Sequence, residues 1–382
     1  MATKFFLKFA YSIHLKKKKN MENVCNPKNL SGLRQADFQT DINGKKTDLF
    51  ILTNRNGCEI AFTNYGGALC AIMVPDRDGK MGNVVQGHDS IEHVVNSPNA
   101  FLSTLIGRYG NRICKGHFTL DGKTYSLAIN NGPNALHGGP TGFHARVWDA
   151  EKLSENSARL HYVSADGEEG FPGKVDVTVT YTFTDDNEFV IDYKATTNQD
   201  TIINLTHHGF FSLCGIQKDT PSCERYLLTM NADHYIPIDD TSIPLGAVAP
   251  VEGTPFDFRT EHLVGERIDA DDVQTRNGAG YDHCWVLNKR QPGELSFAAK
   301  CVDPVTGRRM DVYTTEPGVQ VYTSNWHDGF EGSHGATFPK RSAICFECQH
   351  FPDSPNRAYF PSVVLKPGEV YSQTSIYKFS VE

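Results

Sequence analysis

Nowhere does the sequence hold a run of about eighteen apolar residues, the length at which a helix could span a bilayer. It also lacks an excess of positive charge. Its 37 lysines and arginines stand against 45 aspartates and glutamates, for a formal net charge of −8. A basic face for nucleic acid or an anionic membrane is therefore not indicated, and the acidic balance disfavours a polyanionic ligand. There is no phosphate-binding P-loop, no dinucleotide fingerprint and no H-E-x-x-H, and no G-x-S-x-G elbow. Ten cysteines in 382 residues are too sparse and too irregular for a disulfide scaffold. Cys345 and Cys348 have C-x-x-C spacing, but no second ligand pair matches them for zinc. The apolar Ile344, Phe346 and Phe351 around them read as a strand, in which the two thiols face opposite ways. Two buried structural thiols are expected, in a reducing, cytoplasmic compartment. A neutral small-molecule ligand, with no metal and no cofactor, fits these absences.

Helical signals are equally scarce. Ser90 to Val95 could cap and start a turn or two, and Thr260 to Ile268 could do the same with Thr260 as N-cap. Neither could cover a parallel sheet. What recurs is strand and turn. Val175, Val177, Val179, Tyr181 and Phe183 alternate with polar residues. After a turn at Asp185-Asp186-Asn187 the alternation resumes through Phe189, Ile191, Tyr193 and Ala195, a hairpin with one apolar face. A second hairpin turns at Asp121-Gly122, a pair suited to the positive φ angles of a tight turn. With 33 glycines and 19 prolines spread as turn punctuation, the pattern predicts an all-β, antiparallel β-sandwich formed as one large domain over residues 30–382. An apolar stretch from Phe5 to Leu15 ends in Lys16 to Lys19. This reverses the order of a signal peptide. Met21 follows as a possible start, and residues 1–29 are read as a dispensable extension.

Four polar clusters could carry chemistry. The first is Gly107-Arg108-Tyr109-Gly110-Asn111-Arg112, whose arginines and asparagine offer directional donors to a polar ligand. The second is the turn-rich Asn130 to Gly139, with His137 near its end. The third is Asn204-Leu205-Thr206-His207-His208-Gly209-Phe210-Phe211, which sets a histidine doublet in an apolar strand. Histidine suits general acid work because its ordinary pKa lies near neutrality. The doublet cannot bind one ion from both rings, since adjacent strand residues face opposite ways. The fourth is Ile344 to Asn356, in which Glu347 sits in an apolar run where burial would raise its pKa toward that of a useful base. Each cluster alone is also compatible with an ordinary structural role. Together they describe a base, an acid and neutral hydrogen-bonding groups, which is what opening the ring of a sugar hemiacetal needs.

At these residues the sequence closely resembles the aldose 1-epimerase (galactose mutarotase) family. The stretches that carry the resemblance are GRYGNRI from Gly107, NALHGG from Asn134, NLTHHGFF from Asn204, GYDHCWVL from Gly280, EPGVQVYTSN from Glu316 and ECQHFPDSPN from Glu347, supported by EEGFPG from Glu168 and PFDFR from Pro255. The resemblance implies the large antiparallel sandwich of that superfamily and interconversion of the anomers of a free hexose. It implies Glu347 as general base, His208 as general acid and His137 as an assisting pocket histidine. Asn111, Arg112, His137, Asp282 and Gln320 are implied as sugar-binding residues. A monosaccharide is the implied partner, and a monomer or a homodimer is compatible with the chain. Where the family has asparagine before the catalytic histidine and a Ser-Tyr pair after it, this chain has His207, Gly209 and Phe210. Two other activities are compatible with such a sandwich. One is sugar binding without turnover. The other is glycoside hydrolysis or lysis, for which Asp282 would have to serve as the second carboxylate.

Overall fold

A computed structural model describes residues 29–382; the expected extension, apart from Asn29, and Met21 lie outside the described residues. Every hydrogen-bonded strand ladder in it is antiparallel. The hairpin expected from the alternation at 175–195 forms as Val175–Phe183 and Glu188–Thr197, with the odd-numbered residues of the first strand buried. It lies within a nine-stranded sheet whose order runs Asp149–Ser154, Ser157–Ser164, Val175–Phe183, Glu188–Thr197, Tyr371–Val381, Arg308–Thr314, Ser296–Val302, Leu227–Met230, His262–Leu263. The second hairpin joins His117–Leu120 to Lys123–Ser126. Its turn takes φ of 52° at Asp121 and 75° at Gly122, the left-handed region that an Asp-Gly pair tolerates.

A five-stranded sheet, ordered Ala249–Pro250, His234–Ile236, Asp282–Val286, Gly318–Tyr322, Cys345–Gln349, packs on the large one. So does a four-stranded sheet running from Leu49–Thr53 to Met81–Asn83. The main core lies between them. Val177, Val179, Tyr181 and Ile191 come from the large sheet, Trp285, Val319, Val321, Phe346 and Cys348 from the second, and Ile60, Phe62, Leu69 and Ile72 from the third. This is the layered sandwich that alternation predicted.

Among the described residues, α-helix is confined to two short segments. Ile91–Val95 is capped by Ser90, whose hydroxyl accepts from the His93 N–H. Val273–Gly278 is capped by Asp272 and was not expected. The helix expected from Thr260 does not form. His262–Leu263 instead adds an edge strand beside Leu227–Leu228, and a single 3-10 turn follows at Val264–Glu266. The open strand edge at Leu227–Leu228 takes the backbone hydrogen bonds of His262–Leu263 in place of a helical turn. Cys345 and Cys348 are free thiols on opposite faces of one strand, the first packed with Phe210 and Phe338, the second in the main core.

Candidate active site

The strand Cys345–Gln349 is buried along its whole length. Phe346 and Cys348 point into the main core, so Cys345 and Glu347 point to the opposite face. Cross-strand register brings Gln320 opposite Glu347, and Asp282 opposite Tyr322. Asp282, Gln320, Tyr322 and Glu347 therefore share one face of the five-stranded sheet. The segment 204–211 runs antiparallel along the open edge of the Glu347 strand and is fastened at both ends. Phe211 and Ile344 exchange two backbone hydrogen bonds of 2.9 Å, and the Asn204 side-chain oxygen accepts from the His350 N–H at 2.9 Å. Between these ties His208 donates its N–H to the Thr104 carbonyl at 2.9 Å. Its Nε2 comes to 3.5 Å from Glu347 Oε1.

The histidine doublet separates as strand alternation requires. His207 points into the sandwich core, its ring near Tyr181 and Phe189, with neither nitrogen hydrogen-bonded. His208 points into a cleft of about 480 Å³ lined also by Asn111, Arg112, His137, Asp282 and Glu347, a size that suits a small ligand. Gln320 joins through Asp282, to which its amide donates at 2.6 Å. Arg112 reaches the other oxygen of Asp282 at 3.5 Å, and its Nε donates to Asn131 at 3.0 Å. The chain Asn131–Arg112–Asp282–Gln320 thus forms one polar wall. Three buried polar atoms of these residues have no protein partner: Glu347 Oε2, His208 Nδ1 and Gln320 Oε1.

His137 is held by a reciprocal pair of hydrogen bonds. Its N–H donates to the Asn111 carbonyl, and the Asn111 N–H donates to His137 Nδ1, both at 3.1 Å. A backbone N–H can only donate, so neutral His137 carries its ring proton on Nε2. The ring can then donate to a ligand. Burial, reinforced by His208 and Arg112, pulls its pKa well below the ordinary histidine value. The turn that carries it needs Gly138, at φ 79°, because a Cβ there would fall 2.0 Å from the Gly107 carbonyl oxygen.

His137, His208 and Glu347 bring three metal-ligand atoms within 4.8 Å of one another. The donor set does not suit an ion. Nδ1 of His137 is occupied by the Asn111 N–H, and Nε2 could coordinate only after losing the proton that neutral imidazole keeps.

Burial sets the protonation of the central pair. It pushes the Glu347 carboxyl well above the usual range; Asp282 adds to the rise and Arg112 opposes it. Burial likewise pulls the His208 imidazole down to about 3. Both shifts favour the uncharged forms, a protonated carboxyl beside a neutral imidazole.

Of the first polar cluster, Asn111 and Arg112 line the cleft, whereas Arg108 turns away. Its buried guanidinium donates to the Pro172, Gly173 and Ala165 carbonyls and to the Ser164 hydroxyl. Its work is to pin the Glu168–Gly173 loop. Sequence reasoning missed Tyr322, Phe101, Asn99, Trp326 and His327, all in the cleft wall. Tyr322 was findable, two residues beyond Gln320 on the same strand and so on its face. The segment holding Asn99 and Phe101 carries no regular pattern. Trp326, 71% exposed at the rim, offers no periodic signal either.

A family model described as aldose 1-epimerase matches residues 48–378. The galactose mutarotase of Mus musculus is 42% identical over 319 residues, covering 83% of this chain and 90% of that protein. The aldose 1-epimerase of Escherichia coli strain K12 is 35% identical over 341 residues, covering 89% and 97%. Among solved structures, the aldose epimerase homologue from C. elegans superposes with a TM-score of 0.80 at 29% identity, covering 88% of this chain and 99% of that one. The galactose 1-epimerase from Lactobacillus acidophilus NCFM gives 0.77 at 27%, covering 90% and 97%.

Proposed function

The chain belongs to the aldose 1-epimerase family, and from that premise we propose that it interconverts the α and β anomers of free hexoses, galactose and glucose among them, by acid–base ring opening at His208 and Glu347. The observation that carries this reading is the buried pair itself: an imidazole and a carboxyl 3.5 Å apart in a cleft lined also by Asn111, Arg112, His137 and Asp282.

In the ring form, the Glu347 carboxylate takes the proton of the C1 hydroxyl while the His208 imidazolium gives one to the ring oxygen. The O–H electrons become the carbonyl π bond, and the C1–O5 electrons stay on O5. Ring opening leaves Glu347 protonated and His208 neutral, the same protonation state that burial favours in the empty site. The resting pocket is thus matched to the open-chain aldehyde. Charge separation to carboxylate and imidazolium is what the bound pyranose has to supply, by donating its anomeric hydroxyl to the carboxylate. Rotation about C1–C2 presents the other carbonyl face, and reclosure reverses both transfers. Asn111, Arg112, His137, Asp282 and Gln320 hold the remaining hydroxyls, so that the open chain recloses before it escapes.

Polarimetry of freshly dissolved α-glucose, α-galactose and α-xylose tests the reading. Acceleration of the hexoses is expected, with initial rates proportional to enzyme. No acceleration of any sugar would overturn it. Prior dialysis against a chelator is expected to leave the rates unchanged, and a clear loss would contradict acid–base chemistry by side chains alone.

The pH dependence follows from the sign of the two shifts. The active pair holds one proton. A second is added only as pH falls toward the depressed histidine value near 3, and the last is lost only above the ordinary carboxylate range. A profile of kcat/KM that stays level from neutrality downward until the fold itself fails is expected. An acid limb centred near the ordinary histidine pKa of about 6.5 would contradict it.

We place residues 30–382 in one domain, a reading supported by a core drawn from three sheets. A cytoplasmic location is supported by nine free cysteines among the described residues.

A further inference from the structure

A histidine that moves protons is usually oriented by a hydrogen bond at its second nitrogen. His208 has none, for its Nδ1 is buried without a partner. Its orientation has to come from packing. The His208 ring lies parallel to Phe210, with centroids 4.7 Å apart and planes 9° apart. The other face of Phe210 is covered by His327 at 5.0 Å and 21°. Tyr322 stands edge-on to both His208 and Phe210, and Phe330 edge-on to His327. Phe210 is itself anchored among Leu102, Ala336, Phe338 and Ala343. The result is a three-ring column with His208 at its inner end.

The outer histidine is held neutral by its neighbours. The Phe101 N–H donates to Asn99 Oδ1 at 3.0 Å, which fixes the orientation of the Asn99 amide. The amide nitrogen then faces His327 Nε2 at 3.3 Å and donates to it. A proton on that nitrogen would set two N–H groups head to head. Burial acts in the same direction, lowering His327 to about 4. Phe210 therefore faces one ring that stays neutral and one that must become a cation in the reaction. An aromatic face attracts a cation within about 6 Å of its centroid.

We propose that Phe210 and His327 are positioning residues for His208: their column fixes the plane of the imidazole in front of Glu347, and the face of Phe210 favours the imidazolium. This rests on the acid–base reading of the pair. It gives a role to the position where the chain departs from the Ser-Tyr pattern. The charged or titratable groups that otherwise face His208 are Glu347 at 3.5 Å, His137 with ring centroids 5.1 Å apart, and Tyr322 at 6.0 Å. Arg112 and Asp282 stand in the adjoining wall. The Phe210 substitutions leave all of these in place.

The test is polarimetry of α-galactose with Phe210→Leu, Phe210→Tyr and His327→Leu, across pH, alongside Glu347→Gln. Phe210→Leu is expected to lower kcat about tenfold with KM changed less than about twofold, and to move the alkaline limb of kcat to lower pH. Phe210→Tyr keeps the ring face and should restore most of the loss. His327→Leu should lower kcat about threefold. Thermal melts establish that each variant is folded, and if Phe210→Leu is not, His327→Leu carries the test. Wild-type kcat and an unmoved alkaline limb in Phe210→Leu, or equal losses in Phe210→Leu and Phe210→Tyr, would overturn the positioning role. If Glu347→Gln is inactive while the column variants are normal, only the column fails. If Glu347→Gln is fully active, the acid–base reading fails with it.

Discussion

Replacing Glu347 with glutamine is expected to reduce kcat for mutarotation of galactose about a thousandfold while leaving the protein folded. The size follows from what general base catalysis contributes, about 10² to 10⁴ in rate. Glutamine keeps the shape of the protonated carboxyl, which burial makes the resting form, but it cannot accept the anomeric proton. The fold should tolerate the change. Glu347 makes no hydrogen bond through Oε2, and its Oε1 meets only a neutral imidazole at 3.5 Å. Removing a buried ionisable group that is held uncharged sacrifices little. A thermal melt within a few degrees of wild type is expected beside the loss of rate. A large fall in melting temperature would mean instead that Glu347 is a structural member of the sheet.

The second large effect is on stability in acid. Four histidines outside the cleft are buried and held neutral by desolvation: His207 and His283 at about 3, His88 and His144 at about 4. Their unfolded value is about 6.5. The folded pKa of each lies below the unfolded one, so the unfolded chain binds more protons and stability falls as pH drops below about 6.5. Near pH 5 each contributes a loss of about 2 kcal/mol, or about 8 kcal/mol for the four. That is comparable to the whole stability of an ordinary domain, about 5 to 15 kcal/mol. Cooperative unfolding with a midpoint near pH 5 is expected by circular dichroism. His207→Phe should shift it to lower pH, since the site is already lined by Tyr181 and Phe189. An acid midpoint below pH 4 in the wild type would contradict these burial effects.

The fold was legible where one face of a strand is buried and the other wet, as at Val175–Phe183. Where both faces are covered, only the apolar run itself marks the strand. The strand holding Glu347 reads as an apolar run without alternation because the main core lies on one face and Phe210 and Phe338 pack against Cys345 on the other. The helix expected from Thr260 shows the opposite error, a capping residue followed by chain that pairs instead with a strand edge. In the cleft, strand alternation was enough to send His208 and His207 to opposite faces. Alternation could not show that His208 depends on Phe210 and His327 for its orientation. The outer contact joins Phe210 to His327, more than a hundred positions apart, through loops without periodicity. Nor could it separate Arg108 from Arg112. The difference between them is which carbonyls lie within reach, and only the folded Glu168–Gly173 loop supplies those for Arg108.

In the proposed reaction Glu347 and His208 act as one unit, each transfer depending on the other. The direct measurement is the polarimetric rate with fresh α-galactose for Glu347→Gln, His208→Asn and the double variant. Groups that work as a unit are lost together when either is removed. The double variant is predicted to be no slower than the slower single variant, within about threefold. Losses that multiply would contradict the coupled transfers and leave two independent residues in their place.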